Sequence, residues 1–264
     1  MSASHEPQQN RLLATLHHDQ LERVAPHLEL HPLPSGKVLH ECGEVVRHVW
    51  FPVDAIVSLL YVMEDGSSAE IAVIGREGMV GTAAFMGGET ASSRAVVQSG
   101  GHAFRLPVRH LLDEFHRHGT LHDVLLRYTH TLLTQAAQTA ACNRHHTVDQ
   151  QLCRLLLLAA DRLPSSHIVM TQERIASMLG VRREGVTEAA GKLQKRGVIK
   201  YRRGHITILD RAGLERLCCE CYGVVRHECD RLIADVPRAA ATRVGPLLPE
   251  RPVPRAAGEW LRGA

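Results

Sequence analysis

The sequence predicts an α+β protein: an N-terminal antiparallel β-roll (jelly-roll-like), a long central helix, and a C-terminal unit of two helices and a β-hairpin. Six short β-rich runs between Lys37 and Pro107, parted by turn residues, predict the roll. Apolar and small residues from Leu121 to about Arg144 recur in alternating steps of four and three, which predicts the long helix. Between Thr171 and Asp210, two amphipathic stretches separated by Gly180 precede two β-rich runs around Arg202-Arg203-Gly204.

A chain of 264 residues holds two modest domains, each with its own core. Its net charge of +3 says little, but Thr171 to Arg216 carries eleven basic against five acidic side chains, a local net of +6. Aromatic content of 4% leaves few platforms for stacking single-stranded bases. No apolar run approaches the ~20 residues that span a bilayer, and MSASHEPQQN has no signal-peptide core. The expectation is a cytoplasmic protein without membrane contact, its seven cysteines held as reduced thiols.

In chain order, residues 1–10 are expected to be disordered, and residues 11–118 to form the roll domain with flanking helices. Arg11 to Leu28 suggests two short helices interrupted around His17-His18-Asp19. The strands are Val38-Leu39, Val49 to Phe51, Ala55 to Val62, Glu70 to Ile74, Arg94 to Val97 and His102 to Leu106. A helix then runs from Val108 to His118, with Gly119 as its break. Residues 119–145 form the central helix, whose seam is Leu121, Leu125, Tyr128, Leu132, Gln135 and Thr139, continuing to Cys142. A narrow stripe of this kind pairs with its own copy across a two-fold axis, so the seam is the expected dimer interface. The competing reading packs Leu121, Val124, Leu125 and Leu132 on the roll. Residues 146–234 form the C-terminal domain, with a helix from Val148 ending at Pro164-Ser165-Ser166 and a single last helix after Asp210. The Pro, Arg, Ala and Gly content of residues 235–264 predicts a disordered tail.

Within the C-terminal domain, Thr171 is placed to cap a helix whose inner face is Ile175, Met178 and Leu179. Gly180 follows where a helix ends in the left-handed region. A second helix from Arg182 to Arg196 turns Val186, Ala189, Ala190 and Leu193 inward, and Gly197 closes it. The hairpin of Val198 to Tyr201 and His205 to Leu209 completes a winged helix-turn-helix. Arg182, Arg183, Glu184, Thr187 and Glu188 face outward near the start of the second helix, where side chains reach base edges in a major groove. Thr171, Lys192, Arg202 and Arg203 are positioned for backbone phosphates.

Roll, long helix and winged helix-turn-helix, in that order, resemble the Crp/Fnr family of bacterial transcription regulators over about residues 12 to 215. The most specific piece is Thr171-Gln172-Glu173 through Arg183-Glu184-Gly185-Val186-Thr187, which looks like that family's scaffold and recognition helices. The resemblance implies a homodimer reading a palindrome in double-stranded DNA, with half-sites about 34 Å apart. It also implies a sensing roll, and RNA polymerase as a further partner. By match, Arg183 and Glu184 read bases. A third reader, often Arg in the family, falls near Glu188, which accepts from cytosine N4 but cannot make the arginine fork to guanine. The half-site should therefore differ from the family's familiar one.

A second likeness places Ile74 to Gly81 and Ser92 to Ala95 where cyclic-nucleotide-binding members keep a Gly-Glu pair for the ribose and an Arg for the phosphate. It implies an effector pocket at Gly78, Met79, Val80, Ser92, Ser93 and Arg94. In Glu77-Gly78, however, the acid precedes the glycine, and no Glu follows Gly78 or Gly81. Ala136 and Ala137 also dilute the hydroxyls of Thr134 and Thr139. These departures argue against cyclic AMP and for another small molecule or nucleotide, or for no effector.

Cys218, Cys219, Cys221 and Cys229 with His227 invite a metal reading, but along one straight helix they are poorly spaced for a closed zinc site. They are expected to be packed thiols, with no metal. The first forty-one residues hold no cysteine, which disfavours the family's amino-terminal iron–sulfur design. His17-His18, His116-x-His118 and His145-His146 read as solvated helix faces. No catalytic constellation is present, so no enzymatic activity is expected. A cupin-like metal-dependent enzyme would need convergent histidines, and the strands offer only His40, His48 and His102, far apart in sequence. A roll serving as a ligand-free interaction module is the third alternative.

Overall fold

The computed structural model describes residues 5–163 and 167–234. Residues 1–4, the expected break at Pro164-Ser165-Ser166 and the expected tail from Asp235 lie outside the described residues.

Seven antiparallel strands form the roll: β1 (Glu29–Leu33), β2 (Val38–His40), β3 (His48–Pro52), β4 (Ile56–Val62), β5 (Ser68–Ile74), β6 (Arg94–Ser99) and β7 (Gly101–Pro107). They make two sheets, ordered β1-β7-β3 and β2-β6-β4-β5. Leu33, Trp50, Val57, Ile74, Ala95 and Val97 close the space between them. The sequence reading missed β1, because Pro32 argues against a strand. Pro32 pairs with His102 on an edge strand, where a missing N–H costs no ladder bond.

The segment before the roll differs from expectation. Pro7–Gln9 forms a 3-10 turn, and Asn10 is fully buried. Its Nδ2 donates to the carbonyls of Pro52 and Gly78, both at 2.9 Å, while its Oδ1 accepts from the amides of Leu12 and Leu13. Residues 5–10 are therefore folded onto the roll, and their polar composition concealed a buried amide with its hydrogen bonds satisfied.

Helices α1 (His18–Val24) and α2 (Val108–Phe115) flank the roll, and α3 (Thr120–His145) is the long central helix. Most of its predicted seam is buried within its own chain. Leu121, Leu125 and Tyr128 join Val49, Phe51, Met79 and Leu106 in one core. The Tyr128 hydroxyl donates to the Met79 carbonyl at 2.8 Å, and Gln135 Nε2 donates to the Val73 carbonyl at 3.1 Å. Leu132 packs on the same core, and Thr139 accepts from Arg154 at 2.7 Å. Leu121, Leu125, Tyr128 and Gln135 are thus buried against the roll, while Leu132 and Thr139, which touch the core and α4 (Val148–Arg162), stay half-buried.

Beyond α4, β8 (His167–Val169) pairs with the wing, followed by α5 (Gln172–Leu179), α6 (Arg183–Lys195), β9 (Ile199–Arg202) and β10 (His205–Ile208). The last helix, expected to be continuous, breaks at Cys218–Glu220 into α7 (Arg211–Leu217) and α8 (Cys221–Ala234). Helix α8 returns along α3, and its Leu232 enters the core that holds Leu121 and Tyr128. Among the described residues, no helix is long and apolar enough to cross a membrane.

Glu70, buried on β5, has one carboxylate oxygen without a hydrogen-bond partner. Burial pushes its carboxyl up to about 7, against the opposing pull of Ser58 and of Arg154, Arg162 and Arg174. A carboxyl whose folded pKa is raised adds stability below its unfolded value, and that stability is lost as pH rises through the folded value. Glu70→Gln should therefore leave stability nearly unchanged near pH 4.5 and raise it by on the order of 2 kcal/mol at pH 8, read by urea unfolding at both pH values.

Candidate nucleic-acid interface

The reading surface is built from the two-helix turn outward. The Thr171 hydroxyl accepts from the Arg174 amide and starts α5, and Gly180 ends it at φ 64°. Helix α6 buries Val186, Ala189, Ala190 and Leu193, and it exposes Arg182, Arg183, Glu184, Thr187, Glu188 and Lys192, as its apolar spacing requires. The wing turns through Arg203-Gly204, at φ 50° and 82°, the two-residue turn whose twist suits a hairpin.

Between α6 and the wing lies a cleft of about 600 Å³, lined by Arg183, Thr187, Gly191 and Gln194 on one side and by Tyr201, Arg203 and Gly204 on the other. Thr171 and Glu173 are at its rim. The Thr187 hydroxyl lies 2.9 Å from Gln172 Oε1 and 3.0 Å from the Arg183 carbonyl. Glu188 and Lys192 form the adjacent stripe and pair with each other at 2.9 Å, while Lys192 also meets Asp149 at 3.3 Å. Lys192, expected at a phosphate, is thus held between two carboxylates.

Helix α5 fastens this unit to the roll. The Arg174 guanidinium donates to the Val97 carbonyl at 2.6 Å and to Ser35 Oγ at 3.1 Å, and the Ser68 and Ser177 hydroxyls meet at 2.8 Å. Deeper inside, Arg162 of α4 donates to Glu77 at 2.6 Å, to Gln135 of α3 at 2.9 Å and to the Leu158 carbonyl at 2.8 Å.

The expected effector pocket is placed differently. Met79 and Val80 are fully buried, and Val80 exchanges both backbone bonds with Trp50. A Cβ on Gly78 would lie 2.5–2.7 Å from the Tyr128 ring and hydroxyl. Gly78, Met79 and Val80 therefore pack as core against Tyr128 and do not line a cavity in this conformation. Ser93 is buried, Ser92 is exposed, and Arg94 pairs with Glu41 at 3.3 Å.

One arrangement escaped the sequence reading. Cys142 and His146, from the end of α3, lie beside Cys219 and Cys221 from the α7–α8 junction. The four ligand-type atoms are all within 4.8 Å of one another. The break at Cys218–Glu220 produces this convergence, which the spacing along a straight helix does not allow. Cys229 and His227 take no part.

Fold and surface define a transcription regulator with a cyclic-nucleotide-binding-type roll and a winged helix-turn-helix. The family model described as "Cyclic nucleotide-binding domain" matches residues 30–118, and that described as "Crp-like helix-turn-helix domain" matches residues 150–217; together they cover more than half of the chain. The chain belongs to the Crp/Fnr family of transcriptional regulators. Similar solved structures include a regulator of the crp/fnr family from Eubacterium rectale, at 17% identity and TM-score 0.60, covering 80% of this chain and 98% of that one. FixK2 from Bradyrhizobium japonicum has 16% identity and a TM-score of 0.59, covering 73% and 98%. A CRP-family transcriptional regulator from Thermus thermophilus has 19% identity and a TM-score of 0.59, covering 70% and 95%. No curated protein sequence matches significantly.

The packing at Gly78 is testable. Gly78→Ala should cost about 1–3 kcal/mol through overpacking against Tyr128, seen as a lowered urea midpoint with unchanged slope. An unchanged midpoint would mean that Tyr128 does not fill that space.

Proposed function

We propose that the protein acts as a homodimer that reads a two-fold symmetric site in double-stranded DNA with α6 and the wing. The observation that carries this reading is electrostatic. Arg11, Arg23, Arg105, Arg162, Arg211 and Arg226 each face a carboxylate. Among the described residues, the exposed Arg182, Arg183, Arg202 and Arg203 have none; exposed Arg47, Arg76, Arg109, Arg144 and Arg196 also lack one, but the first four crowd one helix end and the adjoining hairpin tip. Unpaired guanidinium groups along a helix and a neighbouring loop tip form a seat for phosphates and base edges.

Arg183, Glu184 and Thr187 then read bases, and Arg182 stands at the helix N-terminus beside them. Arg202, Arg203 and Thr171 hold the backbone. Glu188 reaches a base as Lys192 leaves it for a phosphate. Self-association falls to the side of α3 that the roll leaves uncovered, where Leu126, His130, Leu133, Ala137 and Ala140 are all exposed at steps of four and three. Leu126 and Leu133 are 48% and 62% exposed, a high value for leucines aligned on one helix face. An effector of the roll would act by moving Tyr128 off Gly78 and Met79, which shifts α3 and, through Arg162, the reading unit.

Selection of bound sequences from a random DNA pool tests the reading, which fails if the protein recovers no symmetric motif. On the selected site, Arg183→Ala should cost about 1–3 kcal/mol and relax preference at one base-pair position. Arg202→Ala should weaken specific and random duplexes alike and lower the salt slope by about 1. Leu133→Glu should shift the protein to monomer in sedimentation and reduce affinity for the symmetric site by ~10-fold or more, because one half-site contact is lost.

A further inference from the structure

Cys142, Cys219 and Cys221 are buried as a cluster of their own, apart from the apolar cores, and Cys218 packs against it. Cysteine sulfurs that merely fill space mix with Leu and Val, whereas these three converge on one another and on an imidazole. Cys142 Sγ lies 3.6 Å from Cys219 Sγ, and Cys221 Sγ lies 3.4 Å from His146 Nδ1. A tetrahedral ion with Zn–S of ~2.3 Å and Zn–N of ~2.0 Å spaces its ligand atoms roughly 3.5–3.8 Å apart, close to both distances.

The surroundings fit a thiolate-bound cation. His146 Nε2 lies 3.3 Å from a Glu220 carboxylate oxygen, which leaves Nδ1 as the ligating nitrogen in a carboxylate–histidine–metal relay. Gln138 Nε2 donates to Cys221 Sγ at 3.1 Å, a bond that favours the thiolate. Arg154, buried to 7% exposure and with its Nε lacking a hydrogen-bond partner, places a positive charge near Cys142. Three thiolates, one neutral imidazole and a divalent ion carry a net charge of −1, which that guanidinium offsets.

We propose that Cys142, His146, Cys219 and Cys221 form a tetrahedral site for one zinc-class divalent ion. On binding, the ion accepts four lone pairs, and the thiol protons are released to solvent. Three thiolates with one imidazole select zinc over magnesium or calcium, which prefer oxygen. Sulfurs this close suit a single ion, because the four-iron cluster of an iron–sulfur centre holds its ligands further apart. The bound ion clasps the end of the central helix to the α7–α8 junction, beside the point where α4 leaves for the reading unit. Its presence fixes the angle between the two.

Elemental analysis of the full chain, purified without chelator, should find about one zinc per chain, falling below ~0.2 in Cys219→Ser and His146→Ala. Cys42→Ser, which alters an exposed thiol elsewhere, should keep its zinc. Should the ligand variants misfold, cobalt exchange of the unaltered protein decides the matter, since tetrahedral thiolate-bound cobalt gives intense visible bands. Substoichiometric zinc with no such bands would overturn the proposal. So would iron with inorganic sulfide, or a Cys142–Cys219 disulfide in protein kept under reductant.

Discussion

The fold depends on one buried ion pair. Arg162 sits on the last turn of α4, inside the unit that carries the reading helix, and its guanidinium meets Glu77 at 2.6 Å on the loop that leaves the roll after β5. The same guanidinium holds Gln135 on the central helix, whose amide in turn holds the Val73 carbonyl on β5. Roll, central helix and reading unit thus share a single polar knot, with both charged partners under 10% exposed. A buried pair of this kind adds little over an apolar replacement, but losing one partner leaves an uncompensated charge. It acts as a register pin between the roll, the central helix and the reading unit.

The packing around that knot explains why α3 has two distinct faces. One face is spent inside the chain, on Tyr128 against Gly78 and Met79 and on Thr139 against Arg154. The opposite face carries Leu126 and Leu133 into solvent. In the proposed dimer, a displacement at the roll would reach the reading unit through the first face and a second copy through the other. Coupling between sites then needs only a shift of one rigid helix with two packing arrangements.

Local patterning in the sequence revealed much of this. The helix-turn-helix was legible because capping at Thr171, the left-handed Gly180 and the inward stripe of α6 are all set by near neighbours. The strands of the roll were legible for the same reason, except β1, where Pro32 masks an edge strand. The central helix was found, and four residues of its seam, Leu121, Leu125, Tyr128 and Gln135, are buried within the chain itself. Alternating steps of four and three mark a face that is covered, and they do not say whether the cover is a second copy or the chain's own roll. The uncovered face, with His130, Ala137 and Ala140 among its leucines, is too weakly apolar to stand out. The Cys142, His146, Cys219 and Cys221 convergence was not legible, because its halves lie far apart in the chain and depend on a helix break that no glycine or proline announces.

The most direct measurement is a double-mutant cycle on Glu77 and Arg162, using Glu77→Ala, Arg162→Ala and the pair, read by urea unfolding of the full chain at pH 7. A coupling of about 2 kcal/mol or more is expected, with the double variant less destabilised than the two single losses added together. A coupling under about 0.5 kcal/mol would contradict the central role given to this pair, because the roll and the reading unit would then be joined without it.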